Sequence, residues 1–266
     1  MKNQRQFHRC KSLFFATLAI ASIIISSWHI PTQAGTLKEI QQRKKIVVAV
    51  KDNLPLLGLR DRTGNLQGLE IDIARKLAAE IFGNPESIQL VPVANQDRLK
   101  VAIDGTVDLT IARVTITPTR SRVVDFSRYY YLDGTAIITD RANIVKNSDL
   151  VGKPVAVLNN SSTIASLQFF IPNAKLVGVN SYQQARSLLT SGEVVAIAAD
   201  RSVLIGWRKA DPKYHLLPDR LSTEALGIVI PKGQQYEPLR ELVDRAIVRW
   251  QADGWLKQRI EYWGLQ

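Results

Sequence analysis

Short runs of unbroken apolar residues alternate with amphipathic stretches through almost the whole of this chain, and few folds accommodate that order. Residues 45–50 (KIVVAV) predict a buried strand. Residues 69–81 (LEIDIARKLAAEI) predict a helix with Leu69, Ile73, Leu77 and Ile81 on one face. A strand at 88–93, a helix at 96–103 and a strand at 107–112 complete a first series. A second series opens with a strand at 154–158, a helix at 163–170 and a strand at 175–179. It continues with a helix at 182–189 and a strand at 194–199. C-terminal helices are predicted at 239–250 and 255–262. Such alternation gives an α/β fold with parallel sheets. Extended runs at 130–139 and 226–230 separate and follow the two series, which suits two lobes joined by two crossing strands better than one large sheet.

The first 34 residues read as a signal peptide outside the fold. Lys2, Arg5, Arg9 and Lys11 form a basic start, and Thr32, Gln33 and Ala34 a small-residue cleavage site ahead of Gly35. The apolar run between them, residues 13–25, is short of the roughly 20 residues that a bilayer-spanning helix needs. The alternative is an uncleaved anchor. Cys10 precedes the apolar run, the wrong side for lipid attachment. Cleavage removes Cys10, His8 and His29, leaving His215 as the one histidine and no cysteine. A disulfide, a Cys/His zinc site, or a serine or cysteine triad without His215 is then excluded, and neither metal nor cofactor is expected. His215, in a loop-like KYHLLP segment, is expected to be ordinary and exposed. The formal net charge is +11, with four of the positive charges in the leader and the rest scattered. No nucleic-acid partner is expected; the surplus suits solubility and attraction of small anions. The mature chain is expected to be a soluble monomer in an extracytoplasmic space.

Residues 108–131 (DLTIARVTITPTRSRVVDFSRYYY) carry the functional signal. They predict a strand at 109–112, a polar turn, and a helix start with Thr117 as N-cap and Pro118 at the first helical position. Thr115, free backbone N–H groups and the Arg120 guanidinium would converge there. A helix N-terminus offers unpaired donors and a positive dipole end, and an arginine fork fits a carboxylate. Taken without further context, Arg120 would read as an exposed helix arginine.

The run Gly68-Leu69-Glu70-Ile71-Asp72-Ile73, followed by Leu77, Ala78 and Ile81, resembles the signature helix of the bacterial extracellular solute-binding proteins that serve amino-acid ABC importers. Residues 115–120 (TITPTR) and 124–127 (VDFS) look like the family's carboxylate-binding turn, and residues 149–153 (DLVGK) with 155–157 (VAV) like the opening of its second lobe. The resemblance covers residues 36–266 and is nearest in pattern to aspartate- and glutamate-binding members. It implies the two-lobed periplasmic-binding-protein fold, two doubly wound lobes joined by two crossing strands. Lobe 1 would comprise residues 35–135 and 227–266, and lobe 2 residues 136–226. A free amino acid would bind in the cleft, the hinge would close over it, and the permease subunits of the importer in the membrane would read closure from the periplasm.

The same resemblance implies site roles. Arg120 would hold the ligand α-carboxylate, helped by Thr115 and backbone N–H groups near Arg113. Asp200 resembles the acid that pairs with the α-ammonium, although it reads equally as a helix N-cap. Ser162 and Thr163 stand where ligand-contacting hydroxyls are placed, with capping as the other reading. Lys51 and Arg98 match basic positions of members that prefer acidic amino acids; otherwise they are solvated surface charges. An acidic ligand side chain needs such partners, because an unpaired buried charge is costly. Two departures stand out. Leu54, Leu56 and Leu57 replace an aromatic that often stacks on the ligand, and Arg113 fills a usually small position, where it would reach the ligand side chain or narrow the pocket. Two rival readings remain: a periplasmic dehydratase of prephenate or arogenate on the same scaffold, and a ligand-sensing module of a receptor.

Overall fold

The computed structural model describes residues 34–265, so the predicted signal peptide lies outside the described residues except for Ala34. Helix α1 (Leu37–Gln42) and strand β1 (Ile46–Val50) lead into three short strands, β2 (Asn53–Leu54), β3 (Gly58–Arg60) and β4 (Leu66–Gln67). Then come α2 (Leu69–Phe82), β5 (Ile88–Pro92), α3 (Lys100–Ile103), β6 (Leu109–Ile111) and β7 (Asp125–Asp133). The second series is β8 (Thr135–Thr139), β9 (Pro154–Leu158), α4 (Thr163–Phe170), β10 (Lys175–Val179), α5 (Tyr182–Ser191), β11 (Ala196–Asp200), α6 (Arg201–Ala210) and β12 (His215–Leu216). Strand β13 (Glu224–Ile230) and helices α7 (Glu237–Ala252) and α8 (Trp255–Trp263) finish the chain.

Two five-stranded sheets result, ordered β5-β1-β6-β13-β7 and β10-β9-β11-β8-β12. In each, the three strands that alternate with helices run parallel and the remaining pairings are antiparallel. The sheets are therefore mixed rather than wholly parallel, because β13, returning to the first lobe, and β8, entering the second, each run back against both neighbours. Strands β1 and β11 are buried along their whole length, as expected where helices cover both faces. Helix α2 buries Leu69, Ile71, Ile73, Ala74, Leu77 and Ala78, the wide apolar face that its sequence period requires.

The crossing is a place where backbone meets backbone. Strand β7 ends at Asp133, β8 begins at Thr135, and Gly134 between them faces the returning chain at Ser222. A Cβ at Gly134 would lie 1.9 Å from the Ser222 carbonyl oxygen, so no other residue fits without parting the two segments. Thr135 N–H donates to Ser222 Oγ at 2.9 Å, and Arg220 donates to the Ser222 carbonyl at 3.1 Å and to that of Asp133.

Several local expectations change. The helix expected at 96–103 shrinks to α3, with turns before it. Strands β2, β3 and β4 add a small antiparallel sheet that no hydrophobic period in the sequence predicts. In place of an α-helix after Pro118 there is one 3-10 turn, Arg120–Arg122, with Thr119 at its cap; Thr117 Oγ1 still accepts from the Arg120 N–H at 3.3 Å. His215 is half-buried on strand β12, its Nε2 3.0 Å from the Ile144 carbonyl oxygen, and not an exposed loop residue.

Candidate functional site

In each sheet the first parallel strand leads to a neighbour on one side, and the chain then returns to its other side. The order β5-β1-β6 puts a topological switch point between β1 and β6, and β10-β9-β11 puts another between β9 and β11. Ligands of open α/β sheets sit outside the carboxyl ends of strands at such points. Lys51 follows β1 and Arg113 lies just beyond β6; Asn160 and Ser162 follow β9, and Asp200 ends β11. Most of the expected site residues therefore converge on one cleft between the sheets.

Arg113 is the most constrained of them. Its backbone is left-handed, φ 52°, a conformation that costs a non-glycine residue about 1–3 kcal/mol unless its surroundings impose it. Two buried side chains do impose it. The Glu70 carboxylate accepts the Arg113 N–H at 2.6 Å, and the Arg98 guanidinium donates to the Arg113 carbonyl at 2.7 Å. Glu70 also accepts from Tyr130 Oη at 2.5 Å, while Arg98 donates to the carbonyls of Asn95 at 2.8 Å and Ala112 at 3.3 Å. So held, the Arg113 side chain crosses the cleft, ion-pairs with Asp200 and lies over the Tyr182 ring, 5.4 Å from its centroid. Both members of the pair are buried. The Arg113 N–H is therefore already used and is no free donor for a ligand.

Arg98 and Lys51 are not solvated surface charges: both are buried. Lys51 Nζ donates to the Val93 carbonyl, and among the described residues no carboxylate lies within ion-pair distance of it. Burial, reinforced by the nearby Arg98 charge, brings the Lys51 ammonium down to about 8. Burial and then Arg113 bring Arg98 down to about 9. Both are directed at backbone of the first lobe, so neither makes a polar contact across the cleft.

Arg120 is half-buried and spans the gap, donating to the Thr115 carbonyl at 2.9 Å and to the Asn160 carbonyl at 3.3 Å. The one-turn 3-10 segment it begins is too short to supply the helix dipole expected there, which leaves the guanidinium as the main cationic donor.

Sequence reasoning missed Glu224, the first residue of β13. Its Oε2 accepts from Ser162 Oγ at 2.5 Å and Thr115 Oγ1 at 3.2 Å; its Oε1 accepts from Ser222 Oγ at 2.8 Å, Thr135 Oγ1 at 3.2 Å and Ser166 Oγ at 3.5 Å. Burial pushes this carboxyl up, but the hydroxyls of Ser162, Ser222, Thr115 and Thr135 together outweigh burial and hold it below the usual range. A strand predicted to start at Leu226 left it outside. A carboxylate directly after Ser222 and Thr223, ahead of an apolar run, was the available signal.

The capping readings also resolve. Asp200 occupies the cap position of α6 without capping it; Asp133 does so instead, accepting from Ser202 N–H at 3.1 Å and from Ser202 Oγ. Ser162 holds the cap position of α4 but gives its hydroxyl to Glu224. Thr163 is buried, and its Oγ1 makes no hydrogen bond, so the structure does not bring it into the polar cluster. Leu54 and Leu57 are buried. At the mouth of the cleft, a cavity of about 160 Å³ lined by Leu54, Pro55, Tyr182 and Trp207 leaves room only for a small molecule. No cluster suited to a metal ion occurs among the described residues.

The sequence matches the bacterial extracellular solute-binding proteins, family 3, over residues 46–266. A glutamine-binding protein of Geobacillus stearothermophilus is 32% identical over 202 residues, 74% of this chain and 77% of its own. The ABC transporter glutamine-binding protein GlnH of Bacillus subtilis is 28% identical over 235 residues, 87% of this chain and 85% of its own. Among solved structures, the solute receptor for L-cysteine of Neisseria gonorrhoeae superposes with a TM-score of 0.78 at 26% identity, covering 86% of this chain and 93% of that one.

Proposed function

The chain belongs to family 3 of the bacterial extracellular solute-binding proteins, and from that premise we propose that it is the substrate-binding receptor of an amino-acid ABC importer with glutamate or aspartate as preferred ligand. The carrying observation is the opposition of charges across the cleft. Arg120 and the Thr115 hydroxyl on the first lobe suit a carboxylate, and buried Asp200 on the second suits an ammonium. A zwitterion fits both at once and rewards closure, so binding shifts the hinge toward the closed form that the permease recognises.

The acidic preference rests on the cations around that axis. Burial first, and then a neighbouring cation, holds Lys51, Arg98 and Arg120 each below its ordinary value; the neighbour is Arg98 for Lys51 and Arg113 for the two arginines. A side-chain carboxylate entering beside Lys51 would supply the counter-charge that the first lobe lacks there, whereas the neutral amide of glutamine would not. Bound lysine or arginine would add to the positive charge.

On this reading the protein is a binding protein and not an enzyme, acts in the periplasm after removal of its signal peptide, and works as a monomer with its importer. A dehydratase needs a protonated cleft acid. Glu224, the carboxyl beside Arg120 and Thr115, is held below the usual range and has no proton to give near neutrality. Calorimetric titration against the common amino acids tests the proposal. Glutamate or aspartate should bind tightest, at micromolar affinity or about −8 kcal/mol. Tight binding of arginine or histidine without a response to glutamate would overturn the acidic preference; silence from every amino acid would overturn the receptor reading.

A further inference from the structure

The groups best placed to hold a zwitterion already have partners, and those partners carry the charges of a zwitterion. Asp200, suited to an ammonium, is paired with the Arg113 guanidinium reaching over from the other lobe. The Thr115 and Ser162 hydroxyls, one from each lobe and suited to a carboxylate, both meet Glu224 Oε2. Arg120 lies close enough to Glu224 to feel its charge. One internal cation and one internal anion thus occupy the positions of the ligand's two charged ends.

From this we propose that Arg113 and Glu224 act as a built-in substitute for the ligand, closing the cleft by themselves and yielding their places when an amino acid enters. Three features favour a device over chance contacts. The left-handed backbone of Arg113 is clamped on both sides by Glu70 and Arg98, which directs the side chain across the cleft at the expense of local strain. The Arg113–Asp200 pair is buried and lies against Tyr182, so separating the lobes must rehydrate two charges. Glu224 stands at the crossing itself and accepts from Thr115 of the first lobe and from Thr135, Ser162 and Ser166 of the second, so it links the two.

Exchange conserves the pairing. The incoming ammonium takes Asp200 and releases Arg113, which is then free for the ligand's side-chain carboxylate; the incoming carboxylate takes Thr115 and Ser162 from Glu224. The ligand must compete with two internal groups, so its apparent affinity is lowered by the fraction of molecules held in the self-closed form.

This inference rests on the receptor reading, and the test separates the two. Glu224→Gln keeps the shape and removes the competing charge; Arg113→Gly suits the left-handed backbone and removes the internal cation. Small-angle scattering without amino acid should show the wild-type protein at the radius it has with saturating L-glutamate, and Arg113→Gly at a larger one that contracts when ligand is added. In calorimetry, Glu224→Gln should bind L-glutamate and L-glutamine about tenfold more tightly, an expected gain of about 1.4 kcal/mol. A wild-type protein that expands without ligand as far as Arg113→Gly does, or a Glu224→Gln variant that binds more weakly, would overturn the substitution while leaving the receptor reading intact. No heat with any amino acid in any variant would overturn the receptor reading, and the scattering would still report on the latch. Thermal melts confirm that each variant is folded.

Discussion

Gly206 offers a direct test of lobe closure. It lies within α6 of the second lobe, and its missing side chain lets Pro55 of the first lobe approach: a Cβ there would stand 3.0 Å from Pro55 Cβ and 3.2 Å from the Pro55 carbonyl oxygen. Gly206→Ala asks Pro55 to yield a few tenths of an ångström. Gly206→Leu adds a branched side chain that only separation of the lobes can accommodate. Overfilling a packed contact costs about 1–3 kcal/mol, and here that cost falls on the closed form alone. The self-closed form without ligand bears the same cost, so affinity should drop by at most about 150-fold, at 1.4 kcal/mol per tenfold. The intrinsic effect on α6 has the opposite sign, since leucine is a better helix former than glycine by up to about 1 kcal/mol. Binding should then weaken and the liganded radius grow, while the melting temperature, which sums the gain in α6 and the loss of self-closure, should change little. Unaltered affinity together with an unaltered radius would refute the claim that the cleft closes through Pro55 and Gly206.

Arg120→Ala should weaken amino-acid binding at least a hundredfold, a loss of about 3 kcal/mol, with little change in melting temperature because the side chain is half-exposed; calorimetry and a thermal melt read both. Lys51 sits near 8 against an ordinary 10.5, so folding stability should rise with pH from about 8 to 10.5 as the cost of burying its charge is relieved. A Lys51→Met variant should lack that part of the rise in denaturant titrations run across the window. Binding of glutamate near pH 8.5 should take up protons as the anion draws Lys51 back toward the charged form, whereas glutamine should not; titration in two buffers of different ionisation enthalpy measures the difference. Gly134→Ala should cost about 2–3 kcal/mol and lower the melting temperature by roughly 4–12 °C, because its Cβ would meet the Ser222 carbonyl.

The parallel strands were legible because each is an unbroken apolar run, β1 and β11 most plainly. Helix α2 was legible because its apolar residues repeat on one face. Strands β2, β3 and β4 were not, since two or three residues carry no period. The segment before α3 has helical spacing but folds into turns, where Arg98 reaches the carbonyls of Asn95, Ala112 and Arg113. Arg120, Arg113 and Asp200 could be nominated from family pattern, but the pairing of the last two could not, because they are far apart in the chain. Glu224 was the least visible. Its hydroxyl partners Thr115, Thr135, Ser162, Ser166 and Ser222 belong to separate segments that only the crossing of the lobes assembles.

Strand β13 pairs with β6 on one side and β7 on the other, although both precede it by nearly a hundred residues or more. Until residues 224–230 emerge from the ribosome, β7 has no neighbour and the first sheet stands incomplete, while the β8–β11 segment needs nothing from downstream except the short edge strand β12. Refolding should therefore protect amides of β9 and β11 before those of β7, an order that pulsed hydrogen exchange can time. The most long-range sheet of the chain is thus the last to set.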